Sequence, residues 1–342
     1  MDYYDQMLIA SSDSAKELLK TYSVHPPDNA DGREGKKYDE EDVRATKLPV
    51  ILADMKNRKV ARLHLTKGAR GQKDIIGRTE GGDSLFGEAS YDRSAQGVPV
   101  YWLPWNTAGA VISLEIPTKG TRSAGRLDPD RFFTAAINGC SIFFAGTPAN
   151  PTIFHCGGDT EVSGPSASAK FWRDLMGSGK IGTTVLGEVN KEHYITTQGV
   201  KSGPLNTTTT QAAKDYEVWL KTNSSKQLEI EQVAPWGCVM GMRDDAGNWK
   251  FYLQQNAAIT YYTLKKKGLF SDKMVRKQEK LKTFEKDSGG VDQIITKKDQ
   301  DGDTVMIDRK RVVSRPISFR QVWPNGKAGV RIDLPIPRSK HG

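Results

Sequence analysis

The sequence predicts an α+β protein: a mixed β-sandwich core with peripheral helices and long surface loops. Three observations lead there. Short alternating or continuous apolar runs bounded by Gly, Pro, Asn and Asp recur from Val98 onward, as strands do. Between them lie two longer segments with helical spacing, and no succession of βαβ units is present. Finally, 37% hydrophobic residues with seven Trp, eleven Phe and eleven Tyr in 342 residues supply a core and argue against a disordered chain.

In chain order, "DSAKELLKTY" reads as an amphipathic helix capped by Ser11 or Asp13. The Pro-, Gly- and charge-rich "SVHPPDNADGREGKKYDEEDV" reads as a linker. "KLPVILADMKNRKVARLHLT" suggests two short strands, and the glycine-rich stretch from Lys67 to Gly97 a long surface loop. Residues 1–95 are therefore expected to form an N-terminal accessory region packed on the core, and residues 96–338 the main domain. "VPVYWLPW" and "AGAVISLEIPT" are strand-like. Helices are expected over Ser166–Gly179 and Thr207–Ser225, the second with Ala213, Tyr216, Trp219 and Leu220 on one face. "GCVMGMRDDAGNWKFYLQQ" predicts a hairpin turning at Asp245–Gly247, residues 271–285 a basic helix, "TKKDQDGDTVMIDRKRVV" a second hairpin, and "ISFRQVWPNGKAGVRIDLP" a third turning at Asn325–Gly326.

The net charge of +9 is spread along the chain and suits an acidic partner without selecting one. Three cysteines form neither a disulfide framework nor a paired zinc motif, and the thiols are expected to be reduced. The N-terminus lacks the basic start and apolar run of a cleaved signal, and no run approaches the ~18 apolar residues of a membrane span. A soluble protein is expected.

Several motif-like stretches fail on inspection. "GSGKIGTT" lacks the leading glycine of a phosphate loop and has Ile181 where Ser or Thr is required. "DQDGDT" has its glycine too early for a calcium loop and no closing Glu. "GARG" at 68–71 lacks the flanking helices of a nucleic-acid clamp. His25, His64, His193 and His341 have no metal-ligand spacing and read as surface or structural. The seven tryptophans, at strand or helix spacing, read mostly as core. No cofactor or metal is called for.

One stretch, "FFTAAINGCSIFFAGTPANPTIFHCGGD" (Phe132 to Asp159), is more apolar than the rest and carries Cys140, Cys156 and His155. Gly139 allows a sharp turn before Cys140. "SIFFAG" is then a strand, "TPANP" a turn and "TIFHC" the returning strand. With the loop centred at 147–148, Cys140 and His155 are directly opposed on one face of the pair. A thiol of pKa ~8.5 needs such a neighbour to become a nucleophile. Cys156 follows His155 on the strand and faces the other way; Cys238 lies in an apolar strand, and both read as core. The imidazole needs a third group to hold it, for which Asp159 or a backbone carbonyl is available. Oxyanion donors are sought in the N–H of Cys140 or Ser141, helped by the Asn138 side chain. A buried hairpin holding a Cys and a His by packing alone stands as the competing reading.

"INGC" followed by strand, turn and a strand ending in His resembles the catalytic hairpin of the cytotoxic necrotizing factor toxins. It is also similar to the Burkholderia lethal factor and the chemoreceptor glutamine deamidases, in which a Thr upstream of the Cys offers its carbonyl to the His. Thr134 stands at that position here, while Asn138 replaces the usual Ser. The resemblance covers Thr134 to Gly158. It implies Cys140 as nucleophile, His155 as general base and acid, and the Thr134 carbonyl as orienter; Asn138, Gly139 and Ser141 are the supporting residues that the turn itself offers. It further implies hydrolysis of a glutamine side-chain amide on a host protein, with nucleic acid not required, by a bacterial effector exported without a cleaved signal and active in the host cytosol. Another thiol hydrolase, a transglutaminase or acyltransferase, and a non-enzymatic basic binding protein remain as alternatives.

Overall fold

The computed structural model describes residues 2–27, 51–54, 60–67, 78–79, 84–105, 110–121, 127–157, 167–179, 184–194, 204–224, 227–268, 273–286, 292–326 and 330–332. Helices α1 (Tyr3–Ala10) and α2 (Ser12–Thr21) precede β1 (Ser23–His25), β2 (Ile51–Asp54), β3 (Val60–Lys67), β4 (Arg78–Thr79) and β5 (Ser84–Ser90). Then come β6 (Val98–Leu103), β7 (Ala110–Glu115), β8 (Arg131–Thr134), β9 (Ser141–Thr147), β10 (Asn150–Cys156), α3 (Ala167–Gly177), β11 (Val185–Val189), α4 (Lys191–Tyr194) and α5 (Pro204–Asn223). The long strands β12 (Leu228–Arg243) and β13 (Trp249–Lys266) follow, with β14 (Met274–Arg276), β15 (Gln278–Lys280), β16 (Lys282–Lys286) and β17 (Asp292–Thr296). The chain closes with β18 (Met306–Asp308), β19 (Lys310–Trp323) and β20 (Val330–Arg331).

Among the described residues two main sheets form. The large one runs β1-β5-β3-β6-β8-β12-β13-β19-β20, with β14 beside β13 and β4 beside β19; the small one runs β11-β9-β10-β7-β2. Both contain parallel and antiparallel pairs. The sheets pack face to face. Tyr101, Phe132 and Phe251 from the large sheet meet Ile112, Ile142, Phe144 and Ile153 from the small one in a shared core. The expected α+β fold with a sandwich core is the observed architecture.

Helices cover the outer faces. Leu8, Ala15, Leu18 and Leu19 of α1 and α2 are fully buried against the large sheet, alongside Leu63, Val100 and Trp102. Burying each Leu contributes about 1.5–3 kcal/mol. Ser11 caps α2 by accepting the Ser14 N–H at 3.0 Å. Asp5 of α1 is buried but satisfied: its carboxylate accepts the Leu65 N–H at 2.9 Å and bonds the His64 ring at 2.8 Å. On the other side, Trp172 and Met176 of α3 pack on Phe143, Phe154 and Cys156 of the small sheet. Ala213, Tyr216, Trp219 and Leu220 of α5 bury the expected face, against Ala257, Ile259 and Val313.

Residues 1–95 are expected as an accessory region packed on the core; their described part supplies β1, β3, β4 and β5 to the large sheet. β3 pairs with β5 on one side and with β6 on the other. The surface loop expected over 67–97 needs correction: β5 lies inside it, with Leu85 and Ala89 in the core. Its sequence is short and glycine-interrupted, and the pairing with β3 and β1 decides its conformation.

The basic helix expected over 271–285 is also corrected. Its described residues form β14, β15 and β16, pairing with β13, β18 and β17. Lys and Glu favour helices only weakly, and long-range strand partners override them. Arg276, on β14, lies over the Tyr262 ring and bonds Glu229 and Asp308.

The second expected hairpin is likewise changed. Its tip forms as expected: the Asp299 carboxylate accepts the N–H of Asp301 and Asp303, Lys298 bridges Thr304 antiparallel and the Val305 N–H bonds the Lys297 carbonyl; beyond this tip β17 and β18 pair with β16 and β15. The β12–β13 and β19–β20 hairpins are antiparallel as expected, with Asn325 at φ 55 in the second. The linker expected from Ser23 is corrected at its start, where Ser23–His25 form β1 with Val24 in the core; its part beyond Pro27, the "GARG" stretch, Asp159 and His341 lie outside the described residues.

No described helix is long and apolar enough to cross a membrane.

Candidate functional site

The candidate site lies where the chain leaves one sheet for the other. β8 ends at Thr134, and the Ala135 N–H then bonds the Leu103 carbonyl. Ile137 exchanges both backbone hydrogen bonds with Gly237 of β12, still on the large sheet. Asn138 is exposed and Gly139 takes φ 107, a left-handed value suited to glycine. Cys140 follows, and Ser141 opens β9 in the small sheet.

The Tyr194 hydroxyl holds this turn from the far side. It accepts the Gly139 N–H at 3.0 Å and donates to the Cys140 carbonyl at 2.5 Å. Tyr194 is fully buried, and burial, with the Cys140 side chain adding to it, pushes its phenol well above the ordinary value. The hydroxyl therefore stays protonated and available as a donor.

β9 and β10 form a tight hairpin. Thr147 pairs with Asn150, leaving a two-residue turn at Pro148–Ala149. His155 consequently faces Ile142, and Cys156 faces Ser141. The direct opposition of Cys140 and His155 expected from the sequence is corrected by this register. The turn is centred one residue later than the spacing predicts, so Cys140 lies one residue before β9, diagonal to His155. The displacement is even, so the face is kept. Cys140 packs with Ile142, Phe144 and Ile153 in the core between the sheets, the side to which His155 points by strand alternation. Cys156 packs with Phe143, Phe154 and Trp172 on the opposite face.

Thr134 reaches His155 from the other sheet. Its Oγ1 lies 2.7 Å from His155 Nδ1, and Thr134 is fully buried. The contact is made by the side-chain hydroxyl, whereas the resemblance implies the backbone carbonyl. His155 is 2% exposed, and burial pushes its imidazole down to about 3. The ring is neutral at physiological pH. Its Nε2 is buried without a hydrogen-bond partner, so the Cys140 sulfur does not bond it in this conformation.

Cys140 is 6% exposed, while Cys156 and Cys238 are fully buried. Burial pushes the Cys156 thiol up, with the neighbouring Cys140 adding to the effect, and burial alone raises that of Cys238. Both are thereby held as thiols. The Ser141 hydroxyl is buried with no partner, and Ser141 lies opposite Cys156.

The structure thus gathers Thr134, Gly139, Cys140 and His155 at one crossover and leaves Asn138 outside it in solvent. Tyr194 was not foreseen. It comes from a four-residue helix far along the chain, and "NKEHY" carries no local signal that its phenol returns to Gly139. Among the described residues no group of three His, Cys, Asp or Glu is placed to hold a metal ion. Chemically, the site offers a thiol, a neutral imidazole with one nitrogen anchored and the other free, and a backbone turn clamped by a phenol.

No protein-family model matches this chain, and no curated protein matches it.

Proposed function

We propose that the chain is a thiol-dependent protein-glutamine deamidase, a bacterial effector acting on a host protein that presents an exposed glutamine. One observation carries the proposal. His155 is anchored at Nδ1 by Thr134 and keeps a buried, unpartnered Nε2 on the face shared with Cys140. Leaving a polar nitrogen unpaired in an apolar core costs about 1–3 kcal/mol, so its retention calls for a use.

In this reading His155 Nε2 removes the Cys140 proton, and the thiolate attacks the carboxamide carbon to form a C–S bond. Nε2 returns the proton to the departing ammonia as the C–N bond breaks. Water then hydrolyses the thioester, leaving glutamate and the free thiol. Thr134 keeps the ring in place through its hydroxyl. The N–H groups of Cys140 and Ser141 are the candidate oxyanion donors, with the exposed Asn138 at the entrance. Substrate access requires the Asn138–Cys140 turn to open, because Cys140 is 6% exposed.

That same burial favours a second reading: a non-enzymatic basic binding protein whose Cys140 and His155 are core residues. One experiment separates the two. The folded protein and its Cys140→Ser variant are incubated with a host-cell lysate, and tryptic peptides are scanned for glutamine-to-glutamate conversion. Conversion by the wild type alone, without chain cleavage, is expected. Chain cleavage would indicate a peptidase, and amine adducts a transglutaminase. If the two proteins leave identical proteomes and iodoacetamide labels Cys140 no faster than Cys156 or Cys238, the second reading stands.

A further inference from the structure

Arg320 sits on β19 opposite Leu253 of β13, on the face that packs toward the small sheet. It is 8% exposed, and its Nε is buried without a partner. Among the described residues it forms no hydrogen bond or ion pair. Burial alone pushes its guanidinium below the ordinary value, with no carboxylate acting to raise it. The other four buried arginines among the described residues are provided for: Arg131 donates to the Leu8 carbonyl, Arg243 to Asp128 and Asp130, Arg311 to Glu279, and Arg315 to the Pro316 carbonyl while its guanidinium lies over the Tyr216 ring. A buried cation without a counter-charge costs several kcal/mol, and arginine cannot shed its proton to escape.

The surroundings are also built for donors. Two positions along β19, the Ser318 hydroxyl bonds the Gln255 side-chain oxygen, and the Gln255 amide donates to the His193 carbonyl. This ties α4 down beside Arg320. The His193 Nδ1 accepts the Asn190 N–H at 3.0 Å, which leaves the ring proton on Nε2. Burial, then the charges of Arg320 and Arg173, push the His193 imidazole down to about 4, so the ring stays neutral and keeps that N–H. Arg173 is already matched: its guanidinium bonds Glu188, which also accepts from Asn190. Arg320 is the charge left over.

We propose that the corner between β11, α4 and β19 is an anion-binding site, in which Arg320 holds a carboxylate or phosphate group and the His193 N–H assists. The site does not depend on chemistry at Cys140. The test is thermal unfolding of the wild-type protein titrated with sodium phosphate, sodium glutarate or sodium chloride at matched ionic strength. A saturable rise in Tm is expected with phosphate or with glutarate beyond that in chloride, and the effective anion identifies the group. Arg320→Lys, which keeps the charge but loses the planar fork, should weaken the anion's Kd by roughly tenfold or more. Arg320→Met should abolish the rise while melting in chloride at or above the wild-type temperature, because an unpaired buried charge has been removed. Equal curves for the wild type in all three salts overturn the proposal, whether or not the variants fold. So does an undiminished rise in Arg320→Met.

Discussion

Thr134 Oγ1 and His155 Nδ1 lie 2.7 Å apart, joining the end of β8 in the large sheet to β10 in the small one. Both residues are buried, so the bond spans the sandwich interior and orients the ring that faces the Cys140 side of the core.

Thr134→Val keeps the shape and deletes the hydroxyl. It leaves His155 Nδ1 unsatisfied in the core, at a cost of about 1–3 kcal/mol. Urea unfolding should show that loss, with Thr134→Ser restoring most of it. If the ring is used as proposed, the Val variant also loses deamidation at temperatures where it is fully folded.

Tyr194→Phe removes the hydroxyl that serves Gly139 N–H and Cys140 C=O together. Two buried backbone groups lose a partner, so destabilisation of about 2 kcal/mol or more is expected. The Asn138–Cys140 turn should loosen selectively. Amide hydrogen exchange at Gly139 and iodoacetamide labelling of Cys140 should both accelerate, while Cys238 remains protected. Equal protection in the variant and the wild type would count against the clamp.

Buried His155 and half-buried His25 and His193 make stability fall with acid. His25 stacks on Phe86 and packs at a tilt on Trp236; burial holds it and His155 at about 3, and burial together with nearby arginines holds His193 at about 4. In the unfolded chain each returns to about 6.5. Between those values the unfolded state binds protons that the native state refuses. The stability is therefore fully present above about pH 6.5 and is lost as pH falls toward 4 and 3, by about 1.4 kcal/mol per pH unit for each histidine. Urea midpoints at pH 7.5 and 5.5 measure this, and a pH-independent midpoint would contradict the burial of these rings.

The hairpin register can be tested at Gly146. Its φ is 79, and an added Cβ would come 2.5 Å from the Asn150 carbonyl oxygen. Gly120 has nearly the same φ, 77, with open space around it. Gly120→Ala should cost about 1–2 kcal/mol for the left-handed backbone alone. Gly146→Ala should cost more, because backbone must also move. Equal costs in urea unfolding would mean that the turn is not the two-residue one seen here.

Much of this protein was legible along the chain. The cap of α2, the apolar faces of α2, α3 and α5, the glycine before Cys140, the alternation that sends Cys156 away from His155, and the β12–β13 hairpin all rest on interactions within a few residues or on strand parity. Parity also keeps Cys140 and His155 on one face although the turn lies one residue later than expected, since the pairing moves by an even step.

What the sequence by itself determined, then, is the class of fold, the placement of the apolar hairpin and the candidate thiol and imidazole. Only the tertiary structure decided which groups meet them. β5 and residues 273–286 became strands because distant segments offered hydrogen-bond partners that local propensity does not encode. The Thr134 hydroxyl, the Tyr194 phenol and the unpaired Arg320 took their places through contacts between sheets and layers. Side-chain bonds of that kind depend on how two surfaces pack, and no spacing along one strand or helix records it.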